Sequence, residues 1–294
     1  MSTTTSSHIR TVASPDQARL IPVKPRRVTS TKLISNLVLL GFGVLFTAPL
    51  LWLVLASVDA NATASLKWPT LTGANFAAVF TPADLNALVN SFYISLIAAI
   101  VATVPSTLAA YAFSRHHIPW KGPILLFILM LSGVPITIMI VPIYEQFLSA
   151  GLLSLVPSAI FLGVSSIPFS IWITKNFIDE VPAELEEAAR LERANTWHVL
   201  TRVVLPLTLP GIAVSAIFSF VNAWGNFIVP LVLIPSPAEE PAPVAIYGFI
   251  GGQQIHFGQV AAYSILYAVP ILLLYLVMSR LFRGGFSLAG AIRG

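Results

Sequence analysis

The feature of the sequence that most constrains its fold is a set of six long stretches without a charged residue. A helix rises about 1.5 Å per residue and the hydrocarbon layer of a membrane is about 30 Å thick, so about 20 apolar residues span it. Five stretches are 22 to 24 residues long, and the longest has room for one helix ending near Pro230 or Pro235, because proline-rich sequence follows. The sequence therefore predicts an all-α membrane protein with six transmembrane helices. The stretches are Leu37–Val58, Ser91–Phe113, Pro123–Tyr144, Gly151–Thr174, Leu205–Pro237 and Phe257–Ser279.

The distribution of basic residues predicts the orientation of these helices. Only 10% of the 294 residues are charged, whereas about a quarter are charged in soluble proteins. Fifteen of the sixteen Lys and Arg residues lie in the two tails and in the second and fourth gaps, on one side of the membrane; Lys67 alone lies on the other. Because cytoplasmic loops carry the excess of Lys and Arg, both termini are predicted to be cytoplasmic. The net charge of +4 thus reflects topology and does not indicate a nucleic-acid partner.

These patterns divide the chain into one membrane domain and two tails. Residues 1–32 are rich in Ser, Thr, Pro and Arg and are predicted to form a disordered cytoplasmic tail rather than a signal peptide. Residues 33–283 form the six-helix domain, and residues 284–294 form a second cytoplasmic tail. The absence of cysteine excludes disulfides, thiolate metal sites and a cysteine nucleophile.

The fourth gap is the only one that is both long and charged. Pro182 suits the first position of a helix, and Leu185, Ala188, Ala189 and Leu191 form an apolar stripe on it. Glu186 and Arg190 are spaced for an i,i+4 ion pair. A second short helix, capped by Asn195 or Thr196, is expected to end at Pro206. This segment either lies on the membrane interface or docks a soluble partner. Its acidic exposed face favours docking.

The same gap resembles the EAA loop of the membrane subunits of binding-protein-dependent ABC importers. That loop has the pattern E-A-A, a Gly three residues further on, then I-x-L-P, and this chain has Glu187, Ala188 and Ala189, then Leu205 and Pro206. The likeness to carbohydrate-type permeases covers about residues 33–294. Further matches are Asn90–Ser91, Ala109–Arg115, Pro135, Pro142, Pro210, Ala223–Pro230 and the tail Gly284–Gly294, which is similar to that of the smaller maltose permease subunit.

The resemblance implies a type I importer fold and a defined set of partners. These are a second permease subunit, two ATPase subunits that bind ATP and Mg, and an extracytoplasmic solute-binding protein, in the plasma (inner) membrane of a bacterium or archaeon. This chain is then a non-catalytic subunit that binds no cofactor itself and helps to import a sugar. Residues 176–205 become the coupling loop, with ATPase-coupling residues Glu187, Ala188, Ala189, Glu192, Arg193 and Ala194 and tail residues Gly290, Ala291 and Gly294.

One departure from the family pattern concerns the geometry of the coupling loop. Arg193 stands where the pattern has Gly. Glycine tolerates a positive φ at little cost, so Arg is expected to meet a steric penalty there or to force a different bend.

Two other classes of protein remain as alternatives. The sequence has no G-x-x-x-x-G-K-[ST] phosphate loop, so this chain is not expected to hydrolyse ATP. The six stretches contain no Asp, Glu, Lys, Arg or His, which disfavours proton coupling, but a sodium-coupled secondary transporter that uses carbonyl and hydroxyl oxygens is the main alternative. An intramembrane hydrolase is the more distant one, because H-E-x-x-H is absent and every His lies in a tail or gap.

Polar residues at membrane depth are the candidates for a substrate pathway. Asn222 and Asn226 are four residues apart and share a helix face. Trp224 lies about 200° around an ideal helix from Asn222, so it joins them only if the helix is broken near Gly225. Ser166 and Ser170 of the fourth helix complete the set. Amides and aromatic rings suit a sugar, although hydrogen bonding between helices is an equal alternative role for the polar side chains.

Overall fold

The computed structural model describes residues 30–251 and 255–281, which are helical apart from turns, loops and one isolated bridge between Asp59 and Leu71. Both predicted tails, including Gly290, Ala291 and Gly294, lie largely or wholly outside these residues. The α-helices of the described part are α1 (Ser30–Ser57), α2 (Ala74–Val79), α3 (Pro82–Arg115), α4 (Lys121–Leu131), α5 (Ile136–Ser149), α6 (Leu155–Asp179), α7 (Ala183–Leu191), α8 (Thr196–Val199), α9 (Leu205–Trp224), α10 (Ile228–Leu233), α11 (Ala242–Gly248) and α12 (Phe257–Leu281).

The described helices confirm the predicted fold class. Five helical spans are long and apolar enough to cross a membrane. The pair α4 and α5 also qualifies, but it is bent by 80° at a short break. The prediction of six crossings is therefore confirmed with this pair counted as one. The expectation that Pro123–Tyr144 forms a single helix is wrong, because Gly133 and Pro135 lie in the break and Pro135 has no N–H with which to continue a helix.

The chain divides into two compact units, residues 1–49 and residues 50–294. The described part of the first unit is the beginning of α1. All packing reported below lies within the second unit.

Helix α3 begins nine residues before the predicted Ser91 because the sequence there carries a helix start signal. Thr81 is the N-cap, and its hydroxyl accepts a hydrogen bond from the Asp84 backbone N–H at 3.1 Å. Pro82 follows at the first helical position, where the missing N–H costs nothing. The resulting helix has 34 residues, which is about 50 Å of helix.

The centre of the unit is formed by α3, α6 and α9, which pack against one another. Small side chains lie at their contacts, including the buried Ala98, Ala102 and Ala159. A Cβ built on Gly163 of α6 would lie only 2.8 Å from the Ala98 carbonyl oxygen of α3. The two backbones therefore approach so closely that only glycine fits between them, as is typical of helix contacts in membranes.

The fifth crossing begins earlier in the sequence than predicted and also ends earlier. It ends at Trp224, and the separate helix α10 follows Gly225. Asn226 makes this break a new helix start, because its side-chain oxygen accepts the Val229 N–H at 3.0 Å.

At its other end the fifth crossing is continuous with α8, so that one helical span runs from Thr196 to Trp224. A π-helical turn at Leu200–Val204 joins the two, with the Leu205 N–H bonded to the Leu200 carbonyl. The expectation that the second short helix ends at Pro206 is wrong. The wider turn carries the helix past a proline that has no N–H to donate.

Two connections at the α3 N-terminal end are fixed by side chains. Asn90 donates to the Ala238 and Glu240 carbonyls at 3.0 Å each, and Ser91 accepts the Ala242 N–H at 2.8 Å.

In the loop after α1, the Thr70 hydroxyl donates a hydrogen bond to the Asp59 carboxylate at 2.6 Å. This bond, with backbone donors and Lys67, lowers the pKa of Asp59 to about 2. The carboxylate is therefore charged and organises the loop around itself.

The close approach of α3 and α6 predicts that Gly163→Ala destabilises the protein. The new methyl group meets backbone that cannot move aside, and overpacking of this kind costs about 1–3 kcal/mol. Thermal unfolding of the purified protein in detergent measures the effect. Gly122→Ala is the matched control, because a Cβ on Gly122 meets no atom within 4 Å. Equal stability of the two variants would contradict the packing described here.

Candidate functional site

Two short helices lie in the segment 176–205, as predicted. The first is α7, and the second begins at Thr196, where the Asn195 side chain accepts the His198 backbone N–H at 2.8 Å. Asn195, rather than Thr196, is thus the N-cap.

The turn between α7 and α8 is a Schellman motif with an arginine at its left-handed position. Arg193 has φ = 63°. Its N–H bonds to the Arg190 carbonyl at 2.9 Å, and the Ala194 N–H bonds to the Ala189 carbonyl at 3.1 Å. These are the two hydrogen bonds that define the motif. Arg193 therefore adopts the left-handed conformation that suits glycine and meets the steric penalty, and a different bend is not required.

The inner face of α7 is held by a buried ion pair. Glu186 is 4% exposed. Its Oε1 accepts from Arg115 Nε at 2.5 Å, and its Oε2 accepts from the Tyr111 hydroxyl at 3.1 Å. The predicted pair of Glu186 with Arg190 is wrong, because the buried position of Glu186 turns it towards the end of α3.

The predicted apolar stripe of α7 does not form its buried face. Leu185 is 46% exposed and Leu191 is 87% exposed. Ala189 is half-buried against a cluster that includes Ile178 and Val199. The face of α7 that lies against the bundle is thus formed by a small residue and a paired carboxylate.

The outer face of the segment is a mixed apolar and charged surface. Glu187, Ala188, Glu192 and Arg193 are all exposed, and Ala194 is half-buried. Trp197, at the start of α8, is 63% exposed. An exposed aromatic ring and exposed leucines beside charged residues are typical of a surface that binds another protein.

A cavity of about 710 Å³ is lined by residues of α4, α5, α6 and α9. Among the predicted pathway residues, Ser166, Asn222 and Asn226 line it. The rings of Phe169 and Phe218 also line it, with centroids 4.4 Å apart. The remaining lining residues are Leu131, Ser132, Val134, Ile136, Met139, Phe161, Val164, Ser165 and Pro168.

Two predicted pathway residues do not line this cavity. Ser170 is buried, and its hydroxyl lies 3.2 Å from that of Ser219, which is a contact between helices. Trp224 is 3% exposed and stacks between Phe220 and Tyr267. The helix does break at Gly225, but the break redirects Asn226 and leaves Trp224 in the core.

Sequence reasoning missed the residues that depend on contacts between distant segments. Tyr111 and Arg115 end a helix about 70 residues before Glu186, and only their place in the AAYAFSR match pointed to them. The cavity rings of Phe161, Phe169 and Phe218 carry no sequence signal that distinguishes them from lipid-facing residues. Within the described residues, no three His, Asp or Glu side chains are grouped to hold a metal ion.

Comparison with known proteins identifies relatives over almost the whole chain. Residues 102–284 match the family of binding-protein-dependent transport system inner membrane components. The trehalose transport system permease protein SugB of Mycobacterium tuberculosis is 31% identical, with 92% of this chain and 99% of that protein covered. The maltodextrin transport system permease protein MalD of Streptococcus pneumoniae is 28% identical, with coverages of 90% and 96%.

Solved structures show the same fold. A chain of a bacterial ABC transporter involved in the import of the acidic polysaccharide alginate matches with a TM-score of 0.72 and 19% identity. The match covers 88% of this chain and 99% of that one. A chain of the methionine ABC transporter MetNI in an inward-facing conformation matches with a TM-score of 0.54 over 71% of this chain, at 16% identity.

The positive φ of Arg193 predicts that Arg193→Gly stabilises the turn. A non-glycine residue in the left-handed region costs roughly 1–2 kcal/mol, and Gly removes most of that cost. Arg190→Gly is the matched control, since the same exchange three residues earlier, inside α7, is expected to destabilise by about 1 kcal/mol. Thermal unfolding of both variants measures the difference. Destabilisation of similar size in both would mean that Arg193 is not strained.

Proposed function

The chain belongs to the family of binding-protein-dependent transport system inner membrane components, and on that premise we propose that it forms half of the translocation pathway of an ATP-driven sugar importer. It is a multi-pass protein of the inner membrane. The observation that carries the proposal is the arrangement of α7, whose inner face is tied to the helix bundle while its outer face presents Glu187. A helix placed in this way receives a partner on one side and acts on the membrane helices on the other.

The proposed partners follow from the arrangement of α7 together with membership of the family. Two ATPase subunits bind ATP and Mg, and one of them docks on the coupling loop (residues 176–205), where Glu187, Ala188, Glu192 and Arg193 are exposed and Ala189 and Ala194 pack inward. A second permease subunit completes the pathway, and a solute-binding protein delivers the substrate from outside. A chain of an alginate ABC transporter solved in complex with a pentasaccharide-bound periplasmic protein matches this fold with a TM-score of 0.64. Both termini are then cytoplasmic, on the side of α7.

The proposed substrate is a sugar or oligosaccharide. The names of two relatives specify trehalose and maltodextrin transport. The cavity offers aromatic faces for sugar C–H groups and the amides of Asn222 and Asn226 for hydroxyls. The chain itself is proposed to be non-catalytic, with hydrolysis left to its partners. Nothing in the cavity favours the sodium-coupled alternative over this assignment.

Charge reversal at Glu187 tests docking. Glu187→Lys is expected to lower the amount of ATPase that co-purifies by at least about tenfold, because a misplaced charge in an interface costs several kcal/mol. Glu145→Lys is the control, because it makes the same charge reversal at an exposed residue near the C-terminal end of α5. Intact assembly and ATP-driven uptake by Glu187→Lys would refute the docking assignment.

Replacement of Asn222 tests the pathway. Asn222→Leu is expected to reduce sugar uptake roughly tenfold, because the side chain can no longer hydrogen-bond to the sugar and a sugar hydroxyl is left without a partner. Assembly with the ATPase should be unchanged. Ser170→Ala is the control, because that hydroxyl faces Ser219 and not the cavity. Uptake in proteoliposomes with trehalose or maltotriose measures both. Equal uptake by the two variants would remove Asn222 from the pathway.

A further inference from the structure

Arg115 joins three parts of the chain at the end of α3. Its Nε contacts Glu186 of α7 at 2.5 Å, and a terminal guanidinium nitrogen donates to the Val181 carbonyl, just before α7, at 2.7 Å. The other terminal nitrogen donates to the Ser114 hydroxyl at 3.2 Å. One side chain therefore holds both the coupling helix and the turn that leads into it.

The contacts continue from Ser114 to the end of α6. The Ser114 hydroxyl donates to Asp179 Oδ1 at 2.6 Å, and Asp179 pairs with Lys175 one turn earlier. Side chains of α3, α6 and α7 thus form one hydrogen-bonded chain. We call the group Lys175, Asp179, Ser114, Arg115, Glu186 and Tyr111 the α7 clamp.

Helix α7 has little other attachment to the bundle. Leu185, Glu187, Ala188 and Leu191 are exposed, and the half-buried Ala189 offers a single methyl group. Glu186, in contrast, is buried and bonded through both carboxylate oxygens. A force applied to the outer face of α7 therefore reaches α3 through Glu186 and its partners Arg115 and Tyr111, and Arg115 is the one of these that also holds the turn between α6 and α7.

The helices held by the clamp also shape the cavity. Helix α6 contributes Phe161, Ser166 and Phe169 to its wall, and α3 packs against both α6 and α9. Asn222 of α9 lines the same space. A shift of α3 and α6 relative to α9 would therefore change the shape of the cavity.

We propose that Arg115 is a positioning residue that transmits the movement of α7 to the transmembrane helices, so that nucleotide-driven motion of a docked ATPase changes the cavity. The proposal rests on the proposed function. It differs from the docking role of Glu187: the clamp acts after the partner has bound, within this chain.

The test uses the complete transporter, with the second permease, the ATPase subunits and the solute-binding protein, in proteoliposomes. The chain has no cysteine, so Val164→Cys supplies one labelling site in the cavity wall of this subunit, at a half-exposed residue of α6 that has no proposed role in sugar binding. The measurements are the rate of reaction of that thiol with a maleimide, with and without ATP, and the rate of ATP hydrolysis. Both rates can be measured whichever sugar the transporter carries.

Two clamp variants separate coupling from stability. Arg115→Met leaves Glu186 buried and unpaired, which is strongly destabilising. The double variant Arg115→Met with Glu186→Met removes both charges and keeps the side-chain volume, and such replacements are often neutral in stability. Arg202→Met is the control, because Arg202 is exposed in the same cytoplasmic segment.

The double variant is expected to assemble and to hydrolyse ATP, while the ATP-dependent change in labelling rate falls at least about tenfold, within the usual range of couplings between sites. Arg202→Met should keep the full change. The proposal is overturned if the double variant keeps the change, or if it loses assembly and hydrolysis together, which would indicate a merely structural clamp. Absence of an ATP-dependent change in the otherwise unmodified Val164→Cys transporter would instead refute the proposed function, and the clamp's role with it.

Discussion

Helices α3, α6 and α9 approach one another closely because the side chains between them are small, and the other features of the molecule depend on that approach. Lipid chains are as apolar as leucine, so helices in a membrane associate through packing and hydrogen bonds more than through exclusion of water. Here Gly163 admits the backbone of α3, and Ser170 meets Ser219 between α6 and α9. The close contact leaves other faces of α6 and α9 free to line a cavity. It also brings the ends of α3 and α6 together, where α7 is attached.

Two adjacent carboxylates of α7 have opposite surroundings, and this contrast organises the coupling segment. A helix turns about 100° per residue, so neighbours face different directions. Glu186 points into the bundle, where Arg115 and Tyr111 compensate its burial, while Glu187 is exposed. A buried ion pair adds little net stability, because the cost of removing both charges from water offsets their attraction. The segment is therefore held in one orientation by a polar contact, and its apolar side chains are left for a partner.

Local signals in the sequence predicted the parts of the structure that local interactions determine. The apolar stretches gave the spans, and the capping residue Asn195 gave the start of α8. A helix break near Gly225 was expected only if Trp224 shares the face of Asn222 and Asn226. The break is present, but the Trp224 ring is buried because it stacks between Phe220 and Tyr267. The partner of Glu186 was mispredicted because Arg190 is near in sequence whereas Arg115 is near in space. The aromatic lining of the cavity was invisible for a related reason: in a membrane protein, an apolar residue that faces lipid and one that faces a pathway look the same in sequence.

The continuous helix from Thr196 to Trp224 has a consequence for how this segment tolerates change. A substitution within it does not change the direction in which Asn222 points relative to the turn between α7 and α8. Insertion or deletion of one residue would rotate Asn222 by about 100° away from the cavity or towards a neighbouring helix. The π turn at Leu200–Val204 is the one place in this helical span where a turn of the backbone contains more residues than an α-helical turn. The number of residues between the turn that precedes α8 and the cavity is thus as much a determinant of the site as any side chain that lines it.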